Sequence, residues 1–390
     1  MICSQSRCSG TDALSGRIVE VTFGERIETV APTANAGNFL APAFIDVQVN
    51  GFAGVDFNDP ATTHEAISRA TRAIRATGVA RYFPTVITGS PQNMTVSLRN
   101  LALAAESIPE RHSIAGFHVE GPHIAPEDGP RGAHPLEWVC PPDLDLFQRL
   151  QEAAGGRIRL LTVSPHWPGA PAYIEALVQR DVTVSIGHTS ASAEQLDAAV
   201  RAGASMSTHI GNGAHQVMRR HPNYLWEQLA DDRLTAGLIV DGIHLGAAFL
   251  KVALRAKTPA RALLVTDASA PAGCAPGRYH LGHQVVDLTA DGRVVLAGQD
   301  RLAGAALRMD DAISNVMAMA GIPLPDALAM ATIIPARACR IHGRENGLAP
   351  GDAADIVEFS IASGRIKVAG LYIDGEKVAI GSTSLSEPCR

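Results

Sequence analysis

Eight short apolar runs, alternating with segments of helical spacing, constrain the fold of this 390-residue chain more than any other feature. Segments between the runs, such as 62–77 and 192–202, carry apolar residues three and four positions apart, which is typical of amphipathic helices. Parallel strands joined by crossover helices produce this alternation, and eight such units close into a (β/α)8 TIM-type barrel. We predict parallel strands at 43–49, 82–88, 114–119, 158–163, 182–186, 205–208, 235–240 and 262–266.

The two chain ends have a different pattern, with Gly, Val and period-two alternation. Turn signals occur at Pro350-Gly351-Asp352 and at Asp374-Gly375. We therefore predict an α/β protein with two parts: a barrel over 41–344, and a small β-sandwich domain formed by 1–40 together with 345–390. A further β-like segment, 278–297, follows the eighth strand and should lie over the barrel mouth as a lid.

Composition excludes several classes of protein. A net charge of -6 without a basic stripe provides no electrostatic footprint for nucleic acid. The first fifteen residues lack an apolar signal-peptide core, and no run of about 18 apolar residues occurs, so neither export nor membrane association is expected. The six cysteines show no C-x-x-C spacing. We expect a cytoplasmic protein whose partner is a small molecule.

Catalytic groups of such barrels lie at the carboxyl ends of the strands, where polar residues end several of the runs. Glu120, His188 and His209 follow the third, fifth and sixth predicted strands. They supply three N/O ligands and leave a fourth position for water or a substrate oxygen. A single histidine at a strand end is more often a packing residue, but three suitable ligands in one barrel favour a metal site. One divalent ion is predicted; zinc suits the site best, although iron, manganese and cobalt accept the same ligands.

Asp267 ends the eighth run and is the candidate general base and acid. It follows the apolar stretch 263–266. An aspartate here could simply cap the next turn. Near a metal, its carboxylate could instead take a proton from water and later deliver that proton. The predicted ligands favour the second interpretation.

Several separated motifs occur along the chain: Pro42-Ala43-Phe44-Ile45-Asp46-Val47-Gln48-Val49-Asn50-Gly51, His118-Val119-Glu120-Gly121-Pro122, Gly187-His188-Thr189, Thr208-His209 with Asn212, Asp241-Gly242-Ile243-His244, and Thr266-Asp267-Ala268 with Ala270-Pro271-Ala272-Gly273. Taken together, these motifs make the whole chain resemble the bacterial N-acetylglucosamine-6-phosphate deacetylases of the amidohydrolase superfamily. The resemblance implies that Glu120, His188 and His209 hold one metal ion and that Asp267 is the catalytic acid and base.

The resemblance also implies a substrate site. Asn212, the backbone at Gly213, and His244 would contact the phosphate or hydroxyls of the sugar. Arg220 would reach the phosphate from a neighbouring subunit, which makes a homodimer the expected assembly. Without the resemblance, the basic stretch around Arg220 would be read as a solvated loop. His123 or His244 is predicted to stabilise the oxyanion.

This chain departs from the family pattern at three places. Gln48 and Asn50 stand where many superfamily members have His-x-His. Both amides should face the site, but amides are poor ligands for a second transition metal, so we predict a vestigial second site and a single ion. Ser164-Pro165-His166 replaces the usual Ala-Pro-Glu, and the loop 211–224 differs beyond Asn212.

The predicted reaction is metal-dependent hydrolysis of the N-acetyl group of N-acetylglucosamine 6-phosphate, which yields glucosamine 6-phosphate and acetate. The nearest alternative is the same chemistry on N-acetylgalactosamine 6-phosphate or on an unphosphorylated sugar, because the loop 211–224 is atypical. A non-catalytic sugar-binding paralogue is a second alternative, although such a protein would be free to lose the ligands. A deaminase or cyclic amidase would share the barrel but not the phosphate-site residues.

Overall fold

The computed structural model describes residues 6–282 and 284–380 of the chain. Four strands of the described residues precede the barrel, and the first of them alternates buried with less buried side chains, as expected of a sheet with one face on a core. Their bounds are β1 (Ser6–Asp12), β2 (Ile18–Phe23), β3 (Ile27–Pro32) and β4 (Phe39–Pro42).

The predicted barrel is confirmed. Its eight strands form one parallel sheet in sequence order, and most of their residues are buried, which explains why their sequences read as apolar runs. A short ribbon of β6 (Gly51–Phe52) and β7 (Val55–Asp56) follows the first barrel strand. The barrel strands are β5 (Phe44–Val49), β8 (Val79–Ile87), β9 (Phe117–Glu120), β10 (Ile158–Val163), β11 (Thr183–Ile186), β12 (Met206–Ser207), β13 (Thr235–Leu238) and β14 (Ala262–Leu264).

The first and last barrel strands meet just beyond their carboxyl ends. Asp267 donates its backbone N–H to the Gln48 carbonyl at 3.1 Å, and Asn50 donates to the Ala268 carbonyl at 2.7 Å. A parallel bridge also joins Val49 to Ala268. This seam brings Gln48, Asn50 and Asp267 together at the barrel mouth.

Helices connect the barrel strands, and both segments singled out by their apolar spacing, 62–77 and 192–202, contain one. Side-chain caps begin several of these helices; Ser192 and Gln195, for example, form a reciprocal capping box. The crossover helices are α1 (His64–Arg75), α2 (Pro91–Ser107), α3 (Leu144–Ala153), α4 (Ala170–Val178), α5 (Ala193–Arg201), α6 (Tyr224–Ala230) and α7 (Ala247–Lys257). Among the described residues, no helix has the length and apolar character needed to cross a membrane.

The β-like segment after the eighth strand forms an antiparallel sheet of β15 (Gly277–Leu281), β16 (Gln284–Leu288) and β17 (Val294–Leu296). Three α-helices and three strands follow within the described residues. They are α8 (Met309–Ala320), α9 (Leu324–Ala329), α10 (Ile333–Ala338), β18 (Ile356–Ala362), β19 (Arg365–Ile373) and β20 (Glu376–Val378).

Both chain ends contribute to one seven-stranded sheet, in the order β20-β19-β18-β4-β1-β2-β3. Strand β4 joins the two halves, since it pairs parallel with β1 and antiparallel with β18. Val21, Phe23, Ile356 and Tyr372 lie in the core of this sheet. The small β-domain built from both ends is therefore present, whereas 1–5 and 381–390 lie outside the described residues.

A buried ion network ties the barrel to this sheet. Arg81, on β8, makes a two-pronged contact with Asp355, at 2.8 and 2.9 Å, and also reaches Asp374 at 2.6 Å. Arg344 donates to the same Asp355 carboxylate. Burial alone would raise the pKa of Asp355, but the guanidinium groups of Arg81 and Arg344 outweigh burial and hold its pKa below the ordinary range.

We expect Arg81→Ala to destabilise the fold by about 3–5 kcal/mol, because it leaves a buried carboxylate without its main partner. Urea unfolding at pH 7 measures this loss, and Arg278→Ala, at an exposed pair with Asp287, should unfold close to wild type. Because the pKa of Asp355 is lowered, its contribution is present above the usual carboxylate range and disappears as the pH falls through the lowered pKa. The difference between wild type and Arg81→Ala should therefore shrink in acid; a constant difference would contradict this account.

Candidate active site

Four predicted residues converge at the barrel mouth. Glu120 ends β9, His188 and His209 lie just beyond β11 and β12, and Asp267 follows β14; each is at most 8% exposed. His188, His209 and Asp267 have positive φ angles of 48°, 26° and 49°. Such angles are uncommon for residues other than glycine and tend to occur at functional sites. The chain therefore turns sharply where these three side chains enter the mouth.

Three ligand atoms form a compact triangle. Glu120 Oε1 lies 3.0 Å from His188 Nε2 and 2.9 Å from His209 Nε2, and the two nitrogens are 3.2 Å apart. Ligands of a tetrahedral zinc ion, each about 2.0–2.2 Å from the metal, lie roughly 3.3 Å from one another. The triangle thus has the dimensions of one face of a metal coordination sphere.

The hydrogen bond made by the other nitrogen of the His188 ring is also consistent with a cation bound at the triangle. His188 Nδ1 lies 2.7 Å from the Pro130 carbonyl and must donate to it. The Nε2 lone pair of a neutral His188 ring then faces the Glu120 carboxylate, a repulsive arrangement that a divalent ion would make attractive. With a proton on each Nε2 instead of an ion, the two imidazoles donate to Glu120; these hydrogen bonds outweigh burial, which alone would raise the pKa of Glu120, and keep that pKa well below the usual range.

A histidine that sequence reasoning missed lies beside this triangle. His134 is buried, its ring is 4.4 Å from the His188 ring, and its Nδ1 is 2.8 Å from Thr88 Oγ1. Ligand atoms of Glu120, His134 and His188 all lie within 4.8 Å of one another. The triangle with His209 is the tighter of the two sets of atoms. Burial and the nearby His188 lower the pKa of His134 to about 3, so this imidazole is neutral.

Asp267 is held by two amides at the same oxygen. Gln48 Nε2 and Asn50 Nδ2 donate to Asp267 Oδ1 at 3.1 and 2.7 Å, and Gln48 Nε2 also lies 3.2 Å from Glu120 Oε2. Burial, and then the charge of Glu120, raises the pKa of Asp267 to about 6. An oxygen that accepts two N–H groups is a poor site for a proton, so Oδ2 is the atom that can exchange one.

A cavity of about 730 Å³ opens above these groups and brings in three of the predicted substrate residues: Asn212, Gly213 and His244. Asn212 is anchored by its amide to the His209 carbonyl at 3.2 Å, and His244 Nδ1 lies 2.6 Å from Asp241 Oδ2. Gly213 has a φ of 56°, and a Cβ there would lie 2.6 Å from His188 Nδ1. Only glycine lets this backbone pass so close to the proposed ligand.

Two predicted residues lie elsewhere. His123 is buried, but it bonds to the Cys140 carbonyl at 3.2 Å and packs edge-on against Tyr173, away from the cavity lining. His123 is therefore not among the residues that line the cavity, and its substrate role stays a prediction. Arg220 is exposed and does not line the cavity of its own chain. Its contribution to a neighbouring site stays a prediction.

The segment that follows the β15–β17 sheet supplies a charged side chain that the sequence did not single out. Arg301, which follows β17, lines the cavity and donates to the Gly132 carbonyl at 3.2 Å. Its guanidinium also lies 3.6 Å from Asp128. The segment after this sheet is therefore held by Arg301 to the loop that carries His134.

A (β/α)8 barrel with a carboxylate, clustered imidazoles and a buried aspartate at its strand ends has the architecture of a metal-dependent hydrolase. The sequence profile of the Amidohydrolase family matches residues 39–378. The chain belongs to the amidohydrolase family.

Relatives and solved structures with known activities cover nearly the whole chain. N-acetylglucosamine-6-phosphate deacetylase of Bos taurus is 33% identical over 376 residues, which cover 93% of this chain and 90% of that protein. N-acetylgalactosamine-6-phosphate deacetylase of Escherichia coli O157:H7 is 30% identical and covers 89% of both chains. A mutant N-acetyl-D-glucosamine-6-phosphate deacetylase from Mycobacterium smegmatis, solved in complex with N-acetyl-D-glucosamine-6-phosphate, is 29% identical with a TM-score of 0.87 and covers 96% of this chain and 99% of its own.

Proposed function

We propose that this protein hydrolyses the N-acetyl group of N-acetylglucosamine 6-phosphate to glucosamine 6-phosphate and acetate. The observation that carries the proposal is the triangle of Glu120, His188 and His209 facing the buried Asp267 in one cavity. The deacetylases to which the chain is similar support the substrate class.

In this proposal Glu120, His188 and His209 hold one divalent ion, and the set of two nitrogens and one oxygen favours zinc, although iron, manganese or cobalt would also fit. When bound, the ion polarises the acetamide carbonyl and makes water more acidic. A second ion is disfavoured, because the amides of Gln48 and Asn50 turn N–H groups towards Asp267.

Asp267 moves the proton. Its Oδ2 takes a proton from the attacking water, whose oxygen bonds to the acetyl carbon while the carbonyl electron pair moves onto the carbonyl oxygen. The same Oδ2 then gives the proton to the sugar nitrogen as the carbonyl re-forms and the C–N bond breaks. Acetic acid and the amine leave, and the acid's proton passes to the amine to give acetate and the ammonium form. His134 and His244 border this cavity and can donate to the oxyanion or to sugar hydroxyls. Gln48 Nε2 donates to both Glu120 and Asp267 and so fixes the positions of these two carboxylates relative to each other.

We further propose that Arg220 binds the sugar phosphate in the active site of a partner subunit, so that the enzyme acts as a homodimer. The exposure of Arg220 outside its own cavity supports this arrangement. Asn212 and the backbone at Gly213 would bind the same phosphate or the hydroxyls from within the subunit.

A substrate panel tests the function. The metal-loaded protein should release acetate from N-acetylglucosamine 6-phosphate far faster than from unphosphorylated N-acetylglucosamine. Arg220→Ala should raise KM for the phosphorylated sugar by about 10–100-fold, the range expected when a charged contact is lost. Arg219→Ala, at the neighbouring exposed arginine, is the matched control and should behave as wild type. Equal turnover of both sugars would contradict phosphate recognition.

N-acetylgalactosamine 6-phosphate is the second candidate substrate, because a relative with that activity is as similar as several of the glucosamine enzymes. The two sugars differ only at the C4 hydroxyl. A preference for the galacto epimer in the same panel would move the assignment to it.

A further inference from the structure

One buried acceptor at the active site has no hydrogen-bond partner among the described residues: Oδ1 of Asn50. Asn50 is 3% exposed and, like Asp267, lines the cavity. A buried acceptor left unpaired costs on the order of 1–3 kcal/mol, so such an atom at a substrate cavity indicates a partner that arrives with the ligand.

The orientation of this amide is determined by its surroundings. Asn50 Nδ2 lies 2.7 Å from Asp267 Oδ1, and a flipped amide would set two oxygens against each other. The Asn50 backbone is also held on both sides, because its N–H donates to Ala268 and its carbonyl accepts from Phe57. Oδ1 is therefore pre-positioned as an acceptor beside the catalytic carboxylate.

We propose that Asn50 Oδ1 accepts the N–H of the substrate's acetamido group, an inference that rests on the proposed deacetylase function. An acetamide has one N–H donor, and burial in the cavity leaves it in need of an acceptor. In this arrangement the substrate N–H donates to Asn50 Oδ1, while Asn50 Nδ2 donates to Asp267. The substrate nitrogen therefore lies next to the carboxylate that must protonate it. The site is thereby selective for N-acyl over O-acyl sugars, since an ester has no proton to place on Oδ1.

A comparison of an amide with an ester tests this role. The substrates are N-acetylglucosamine 6-phosphate and its analogue with an acetate ester at C2, glucose 6-phosphate 2-O-acetate. Asn50→Ala should lower the ratio of kcat/KM for the amide to that for the ester by about 10–100-fold. Gln48→Ala is the matched control: it removes the other donor to Asp267 Oδ1 but leaves the acceptor, so it should slow both substrates and leave their ratio unchanged.

Asn50→Asp provides a second variant of the same size, which keeps an acceptor oxygen but disturbs Asp267. Both rates should fall while the amide-to-ester ratio stays within about threefold of wild type, a small change beside the expected loss. The proposal is overturned by an unchanged ratio in Asn50→Ala, or by an equal drop in Gln48→Ala. Wild-type protein that releases acetate from the ester but from no N-acetyl sugar would instead refute the proposed function.

Discussion

Replacing Asp267 by asparagine is expected to lower kcat for acetate release by about 10²–10⁴-fold, the usual contribution of a positioned general acid and base. An asparagine can still accept from Gln48 and Asn50 through its oxygen, so the shape of the site should persist. It cannot take a proton from water or deliver one to the leaving nitrogen. Because substrate binding does not need that proton, KM should change much less than kcat.

Steady-state kinetics with direct acetate detection measures this effect. Metal content should equal that of wild type, because Asp267 is not one of the proposed ligands. Asp241→Asn offers a comparison at another carboxylate of the mouth, which contacts His244 rather than the triangle; its effect should be smaller and should include KM. Near-normal turnover by metal-replete Asp267→Asn would refute the assigned role.

Removal of the metal is the second change with a large expected effect. Treatment with a chelator should abolish acetate release, and addition of a divalent ion should restore it. Glu120→Gln should weaken metal binding by at least about 100-fold, since even residues that only support metal ligands are commonly worth 10–100-fold. The side chain introduced by this substitution is a neutral amide, so it no longer offsets the positive charge of an ion held together with two imidazoles.

Metal analysis and thermal unfolding test this without relying on turnover. An ion that binds only the folded state raises the free energy of unfolding by about 4 kcal/mol at a thousandfold excess over Kd. Wild type should therefore show a higher Tm with metal, whereas Glu120→Gln should not at the same concentration. Glu127→Gln, at an exposed carboxylate of the loop that follows β9, should respond like wild type. Full activity in chelated protein would contradict a metal-dependent reaction.

The strands of the barrel could be predicted because they are buried by helices outside and by side chains inside, so each leaves an apolar run in the sequence. The predicted strands differ from those of the structure mainly at their ends. The strand predicted at 205–208 spans only Met206–Ser207, and the one predicted at 114–119 spans Phe117–Glu120. Hydrogen bonding between neighbouring strands decides those limits. Periodicity within one strand does not report them.

Residues on long loops were harder to predict. His134 lies fourteen positions after Glu120 in a loop without regular structure, and no periodic pattern marks it. His123 directly follows the Glu120 motif and was therefore expected at the substrate, yet it packs against Tyr173. Proximity along the chain does not decide which histidine lines the cavity, because a loop can return a distant side chain to the mouth while a near one turns away.

By itself, the sequence determined the barrel, the strand-end positions of Glu120, His188, His209 and Asp267, and the small domain shared by both chain ends. These follow from hydrophobic periodicity and from the rule that parallel strands present their carboxyl ends at one face. Only the tertiary structure decided that Gln48 and Asn50 turn their N–H groups onto Asp267, that His134 and Arg301 border the cavity, and that His123 does not. Side-chain direction and loop path depend on contacts between residues far apart in the chain, which no local pattern encodes.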